Sequence, residues 1–459
     1  MIYKLLHKNK EVLTFYFHNE KSPFINILEI INPDHIPVGI DCENSAVLTK
    51  SLNLWWETRL IPQSRKIPQD ASFILNDYYE QSYGLNLSDQ YWIKPADSDK
   101  TWESVNFFTN DFNEDIGKYI ITNGRSTIKE MSSISPDLFS NGEQDKRWVI
   151  NDNKRYLLKY GLPPYYELPF NEILASELCS RLNINHTKYR LVIRKKQEHN
   201  IYSSCQCFTT ENTEYVTAGF VQYVLQKNKK TSSYNHLIEC CKKLDMPDIE
   251  DIKDRLSEMV LIDYIMANVD RHYGNFGFLR DVNTLEWLGA APLFDTGNSL
   301  FYETFTDNLI KSHSMNENVK SKTFATTQNK QLRLFSDRLS LMNIDFDNLD
   351  GIDTYYKDLC SRNNHISEER TEVLKNILIK RIADAKRIIF TNNHITKAFL
   401  KSIKQNNKQN MAQSLKDSLI KFSLMGQQEK RVTESYIKSL SATCPEELIN
   451  EINGDVEKL

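Results

Sequence analysis

The chain has 459 residues, 40% hydrophobic, 11% aromatic and 26% charged, a globular composition with enough apolar mass for more than one core. Its 57 Lys and Arg against 61 Asp and Glu leave a net charge of −4, which excludes a global attraction to nucleic acid or anionic membrane. No run approaches the roughly 18 apolar residues of a membrane span, and charges interrupt the apolar residues of the first segment, so a cytoplasmic location is expected.

The eight cysteines show neither a C-x-x-C pair nor zinc-site spacing and read as reduced thiols, many of them buried. No two of the 14 glycines lie two or five residues apart, which removes both the G-x-G turn and the G-x-x-x-x-G-K phosphate loop. Any nucleotide must be held by a less glycine-dependent loop.

In chain order, residues 1–125 read as a separate, aromatic-rich and irregular N-terminal module, with Trp55 and Trp56 as core anchors. Arg147–Ile150, the turn Asn151-Asp152-Asn153 and Lys154–Tyr160 predict a hairpin that puts Lys159 near the end of a strand. Leu174, Leu178 and Leu182 recur four apart, predicting a helix over 171–182 with Glu172 off that stripe. Strand text follows at 189–194 and 202–208. Beyond 215 the chain reads mainly as helix, including the apolar Met259–Ala267, interrupted by a hairpin over 276–280 and 284–290. Amphipathic helices continue after 365, where Lys380-Arg381 and Lys386-Arg387 read as a solvated face. The expected divisions are 1–125, an N lobe at 126–212, a C lobe at 213–390 and a helical segment at 391–459.

The chemistry concentrates in Asn268–Asn275 and Leu293–Gly297. Phosphoryl transfer needs a carboxylate to orient the attacking hydroxyl and oxygen ligands to hold Mg2+ against the phosphates. Asp270 and Asn275 have the D-x-x-x-x-N spacing of a kinase catalytic loop, and Asp295-Thr296-Gly297 matches a D-x-G metal motif. Each fragment alone is common in a chain rich in Asp and Asn. Their order carries the argument: Lys159 on a strand, Glu172 on a helix, a buried helix, Asp270, Asn275, a hairpin and Asp295 form the linear layout of a two-lobed kinase.

The run Asn268 to Phe278 resembles the N-x-D-x-H-x-x-N-F signature of HipA-like kinases, bacterial serine/threonine protein kinases of toxin–antitoxin pairs. Ser140–Lys146 is similar to that family's short phosphate loop, Tyr156–Lys159 to its ATP-binding strand, Phe170-Asn171-Glu172 to its N-lobe helix and Leu293-Phe294-Asp295 to its second metal motif. The resemblance covers about residues 130–300. It implies an α+β, two-lobed protein-kinase-like fold, with a small β-rich N lobe, a mainly helical C lobe and an additional N-terminal module. ATP and Mg2+ are the implied cofactors.

By the same resemblance Asp270 would be the catalytic base, and Asn275 and Asp295 would ligate the metal. Ser140, Gly142, Gln144, Lys146, Lys159, Glu172, Gln206, Cys207, Phe208 and His272 make up the set expected around the nucleotide. Within it, Gln206-Cys207-Phe208 would be the hinge meeting adenine, and His272 would brace its loop rather than transfer a proton. Arg271 would be placed to pair with a phosphate on the protein itself, with Ser140 the candidate for self-modification. The implied partners are a protein substrate, such as a translation factor or tRNA synthetase, and a DNA-binding antitoxin, with no direct nucleic-acid or membrane binding. No A-P-E follows Asp295, so the substrate region differs from that of eukaryotic kinases. Two other readings compete: a catalytically silent kinase-fold binding module, and a kinase acting on a small molecule or lipid.

Overall fold

Three antiparallel sheets form among the described residues, and helices pack against them. The computed structural model describes residues 1–17, 25–42, 44–59, 82–122, 126, 134–139, 144–194, 201–311, 319–342 and 344–392. Residues 1–386 form one compact unit; of the second, 387–459, the description reaches residue 392.

The N-terminal region is more regular than its sequence suggested. β1 (Tyr3–His7), β2 (Lys10–Phe17), β3 (Ile25–Ile30) and β4 (Tyr91–Pro95) form a sheet in the order β3-β2-β1-β4. Register shifts between Leu5 and Leu6 and between Thr14 and Phe15 interrupt the two-residue period, which is why the segment read as irregular. Helix α1 (Ser45–Glu57), capped by the Asn44 side chain, lays Leu52, Trp55 and Trp56 onto Leu13, Phe15 and Tyr91. The tryptophans are core anchors, as expected.

The second sheet contains β5 (Lys146–Asn151), β6 (Lys154–Tyr160), β7 (Tyr189–Ile193) and β8 (Ile201–Gln206), in the order β5-β6-β8-β7. The β5–β6 turn needs only Asp152 and Asn153, both at positive φ, the two-residue turn that suits a twisted hairpin. Leu158 and Tyr160 point to one face, where Ile121 of α2 (Glu114–Ile121) covers them. Lys159 therefore points to the other face, against α3 (Leu168–Arg181). This helix starts three residues earlier than the leucine stripe predicted, with Pro169 in its first turn. It is buried nearly all round, Glu172 included.

The predicted second hairpin forms from β10 (Gly277–Asp281) and β11 (Trp287–Ala290). It gains a partner the sequence did not announce, β9 (Thr213–Thr217), paired with β10. Glu214 on β9 and Arg280 on β10 pair with each other, and His7 of β1 meets Glu214 at 3.1 Å, so a buried polar knot ties the first sheet to the third. Gly277 is required by proximity: a Cβ there would lie 2.2 Å from the Val216 carbonyl oxygen.

Helices α4 (Ser233–Lys243), α5 (Ile249–Met266), α6 (Gln328–Leu339), α7 (Ile352–Ser361) and α8 (Glu368–Asn392) build the remainder. Asp248 caps α5, and Glu250 and Asp251 complement its N-terminal dipole. Its second half, Ser257 to Met266, is buried on every side, as its apolar text predicted. One expectation fails on α8: Arg381 is not on a solvated face. Its guanidinium is buried, donating to the Tyr264 carbonyl and to Gln328 Oε1, because a residue at that point of the helix turns inward whatever its charge. No helix among the described residues is long and apolar enough to cross a membrane.

Candidate active site

Lys159, Glu172 and Asp295 come from a strand, a helix and a loop, and they meet at one ammonium group. Lys159 Nζ donates to Glu172 Oε1 at 2.7 Å and to Asp295 Oδ1. Glu172 uses its other oxygen to accept from Thr296 N at 3.0 Å and Thr296 Oγ1 at 2.8 Å. One turn face of α3 thus holds both the lysine and the loop after Asp295. Asn171 adds to this by donating to the carbonyls of Gly297 and Ser299 at 2.9 and 2.8 Å.

Charge stabilises the cluster against burial. Burial alone would lower the Lys159 pKa, but Asp295 and Glu172 raise it well above its ordinary value. Burial would raise the Asp295 carboxyl; Lys159 first, then Lys146, outweigh it and hold it below the usual carboxylate range. Lys146 lies opposite Lys159 in the β5–β6 register, which explains its reach. Asp295 itself has φ +60°, a left-handed conformation that Asp tolerates better than most residues. Tyr189 supports it there, its hydroxyl accepting from Asp295 N at 3.3 Å and its ring lying 5.5 Å from Lys159 Nζ.

A second group of residues forms around Arg271. Asp263 receives its guanidinium at 2.9 to 3.2 Å, while its Nη1 donates to the carbonyls of Asn275 at 2.5 Å and Phe294 at 2.7 Å. One buried cation therefore pins the Asp270–Asn275 loop to the Asp295 loop. This overturns the expectation that Arg271 meets a phosphate: it is 3% exposed and its donors are committed inside the fold. The left-handed Ala267 ends α5 and turns the chain into this loop. Asn275 Nδ2 donates to the Asp270 carbonyl at 3.1 Å, and Asp270 Oδ2 accepts from Asn298 at 2.9 Å.

The chain holds oxygen donors suited to Mg2+. Asp295 Oδ2 and Asn275 Oδ1 accept no hydrogen bond among the described residues, and a hard cation takes one or two such side-chain oxygens together with phosphate and water. Among the described residues, no group of three or more His, Cys, Asp or Glu is placed to hold a metal ion by itself.

The other expected residues fall as follows. Gln144 Nε2 donates to the Tyr160 carbonyl at 2.9 Å. Gln206 ends β8; the Cys207 amide donates to the Arg155 carbonyl at 2.8 Å; the Phe208 ring centre lies 5.3 Å from that of Phe294, beside Asp295. His272 is exposed, with Nδ1 accepting from Gly274 N at 3.1 Å, a bond within its own loop. Ser140 and Gly142 lie outside the described residues. The sequence did not single out Tyr189, Thr296, Asn298 or Lys322. Asp263 did leave a signal, a lone carboxylate inside an apolar helical run, which must have a buried partner.

Residues 138–350 match the model of the HipA-like C-terminal domain. Over that segment the chain is similar to proteins that carry the HipA-like C-terminal domain. It is similar to the serine/threonine-protein kinase CtkA of Helicobacter pylori, 25% identical over 173 residues, 36% of this chain and 52% of that protein. The chain thus spans about half the length of that curated relative. Among solved structures, the Helicobacter pylori proinflammatory kinase CtkA aligns with a TM-score of 0.42 at 23% identity, over 53% of this chain and 94% of that one. The HipA, HipB and operator DNA complex of the Shewanella oneidensis toxin–antitoxin system aligns with a TM-score of 0.48 at 12% identity, over 84% and 97%.

Proposed function

We propose that the chain is an ATP- and Mg2+-dependent serine/threonine protein kinase. The observation that carries this reading is the Lys159 ammonium shared between Glu172 and Asp295, with Asp270 on a loop pinned to theirs by Arg271. Lys159 would neutralise phosphate charge, and Glu172 would fix its position. Asn275 and Asp295 would hold the metal, which supplies charge neutralisation at the phosphates. Asp270 would orient a Ser or Thr hydroxyl and take its proton. Gln144 and Lys146, with Ser140 and Gly142, would border the phosphates, Gln206 to Phe208 would meet the base, and His272 would brace its loop. Ser140 is our candidate for self-modification.

The family resemblance extends the proposal to a cytoplasmic growth regulator or toxin acting on a translation factor or tRNA synthetase, with a DNA-binding antitoxin as partner. Calorimetry with ATP, with and without Mg2+, alongside label transfer to lysate proteins, tests the reading. Magnesium-dependent binding with label on Ser or Thr is expected. Tight binding with no transfer to itself or to any protein would instead mark a silent binding module.

A further inference from the structure

Asp270 does not stand open to a substrate hydroxyl. Asn298 occupies its Oδ2, and Lys322 Nζ donates to its Oδ1 at 2.6 Å. Lys322 comes from a separate loop, 52 residues further along the chain, and among the described residues it is the cation paired with Asp270. That loop is firmly built. Gln331 Oε1 accepts from Ser321 Oγ at 2.6 Å, Thr323 Oγ1 at 2.8 Å and Phe324 N at 2.9 Å. Lys320 and Thr327 pair across its base, and buried Phe324 packs edge-on against Tyr273 and Phe276 of the Asp270 loop. The backbone that carries Lys322 is thereby fixed to the backbone that carries Asp270. Its side chain, by contrast, is 54% exposed and long enough to move.

We propose that Lys322 is a further catalytic residue of the kinase reaction inferred above, on which this proposal rests. Its ammonium leaves Asp270 for the transferring phosphoryl group once nucleotide is bound. The distances allow the two to be neighbours. A hydroxyl poised on Asp270 Oδ1 lies about 2.6–3.2 Å from it, and the phosphorus it attacks lies about 3–3.5 Å beyond. Lys322 Nζ already sits within one hydrogen bond of the same oxygen. An ion pair exposed to this degree is weakly held, and the oxygens of the phosphoryl group offer the ammonium more negative charge than one carboxylate does. The exchange does two things: it frees Oδ1 for the hydroxyl and brings a positive charge to the group in transit. In the step itself the substrate oxygen bonds to the γ-phosphorus, the bond from that phosphorus to the β–γ bridging oxygen breaks with its electron pair leaving on ADP, and the hydroxyl proton goes to Asp270. Lys322 keeps its protons throughout. Lys159, held by Glu172 and Asp295, is assigned above to the phosphates of the nucleotide and is not paired with Asp270.

The test compares Lys322→Met, Lys322→Arg and, as an exposed-charge control, Lys330→Met, by single-turnover transfer and by calorimetric affinity for Mg-ATP and Mg-ADP. Lys322→Met is expected to slow transfer about 100-fold and to weaken ATP binding about tenfold while leaving ADP binding unchanged; Lys322→Arg should keep most ATP affinity, and Lys330→Met should match the unsubstituted chain. Transfer at the unsubstituted rate in Lys322→Met, or equal weakening for ATP and ADP, would overturn the proposal alone. Absence of ATP binding and transfer in the unsubstituted chain would overturn the kinase reading itself.

Discussion

Glu172 divides its two oxygens between Lys159 and the amide and hydroxyl of Thr296, so a single carboxylate sets both the lysine and the loop of Asp295. Arg271 plays the matching part from the other side. Its pairing with Asp263 is fully buried, and removing one partner strands a charge in a low-dielectric interior. Asp263→Ala is therefore expected to cost about 3–5 kcal/mol of unfolding free energy, read by denaturant titration, although Asp263 lies outside the Lys159 cluster. A loss below about 1 kcal/mol would mean that Arg271 finds another partner. The meeting of Lys159, Glu172 and Asp295 could be anticipated from the order of the motifs that carry them along the chain. The places of Tyr189 and Lys322 could not, because tertiary approach alone brings them near the site, and Thr296 and Asn298 lie beside Asp295 in the chain but meet their partners Glu172 and Asp270 only in the fold.

Among the elements, the β9–β10 pair links the N-terminal sheet to the rest, and it does so through charge. Burial alone would raise the Glu214 carboxyl, but His7 and Arg280 hold it at about 2, against an ordinary 4.5. The stabilisation is fully present above pH 4.5 and is lost as pH falls from 4.5 towards 2. A difference of that size corresponds to on the order of 3 kcal/mol. Thermal melts of the unsubstituted chain should show this acid loss, and Glu214→Gln should be less stable at neutral pH with a flatter acid limb. Parallel acid limbs in the two would contradict the assignment. The same strand pair leaves no space at Gly277, so Gly277→Ala should lower stability by about 1–3 kcal/mol in denaturant titrations; an unchanged midpoint would show that β9 can shift away. The hairpin of β10 and β11 was readable from its turn residues, whereas β9 was hidden because a short strand beside helical text gives no periodic signal of its own.

Across the whole molecule, helix α3 and the Asp295 loop are joined by hydrogen bonds that cross more than 100 residues of chain, and the Asp270 loop joins the Asp295 loop through Arg271 and Asn298. Convergence of this kind follows from the order of motifs, so the α+β character and the clustering at Lys159 could be anticipated. The N-terminal sheet could not, since its bulges erase the alternation that marks strands. In the function proposed above, this convergence performs phosphoryl transfer with Asp270 as base. Transfer of label from γ-labelled ATP by the unsubstituted chain, Asp270→Asn and Asp295→Asn tests it most directly. We expect both variants to stay folded and lose about 100-fold or more in transfer rate, and undiminished labelling in both would contradict the account.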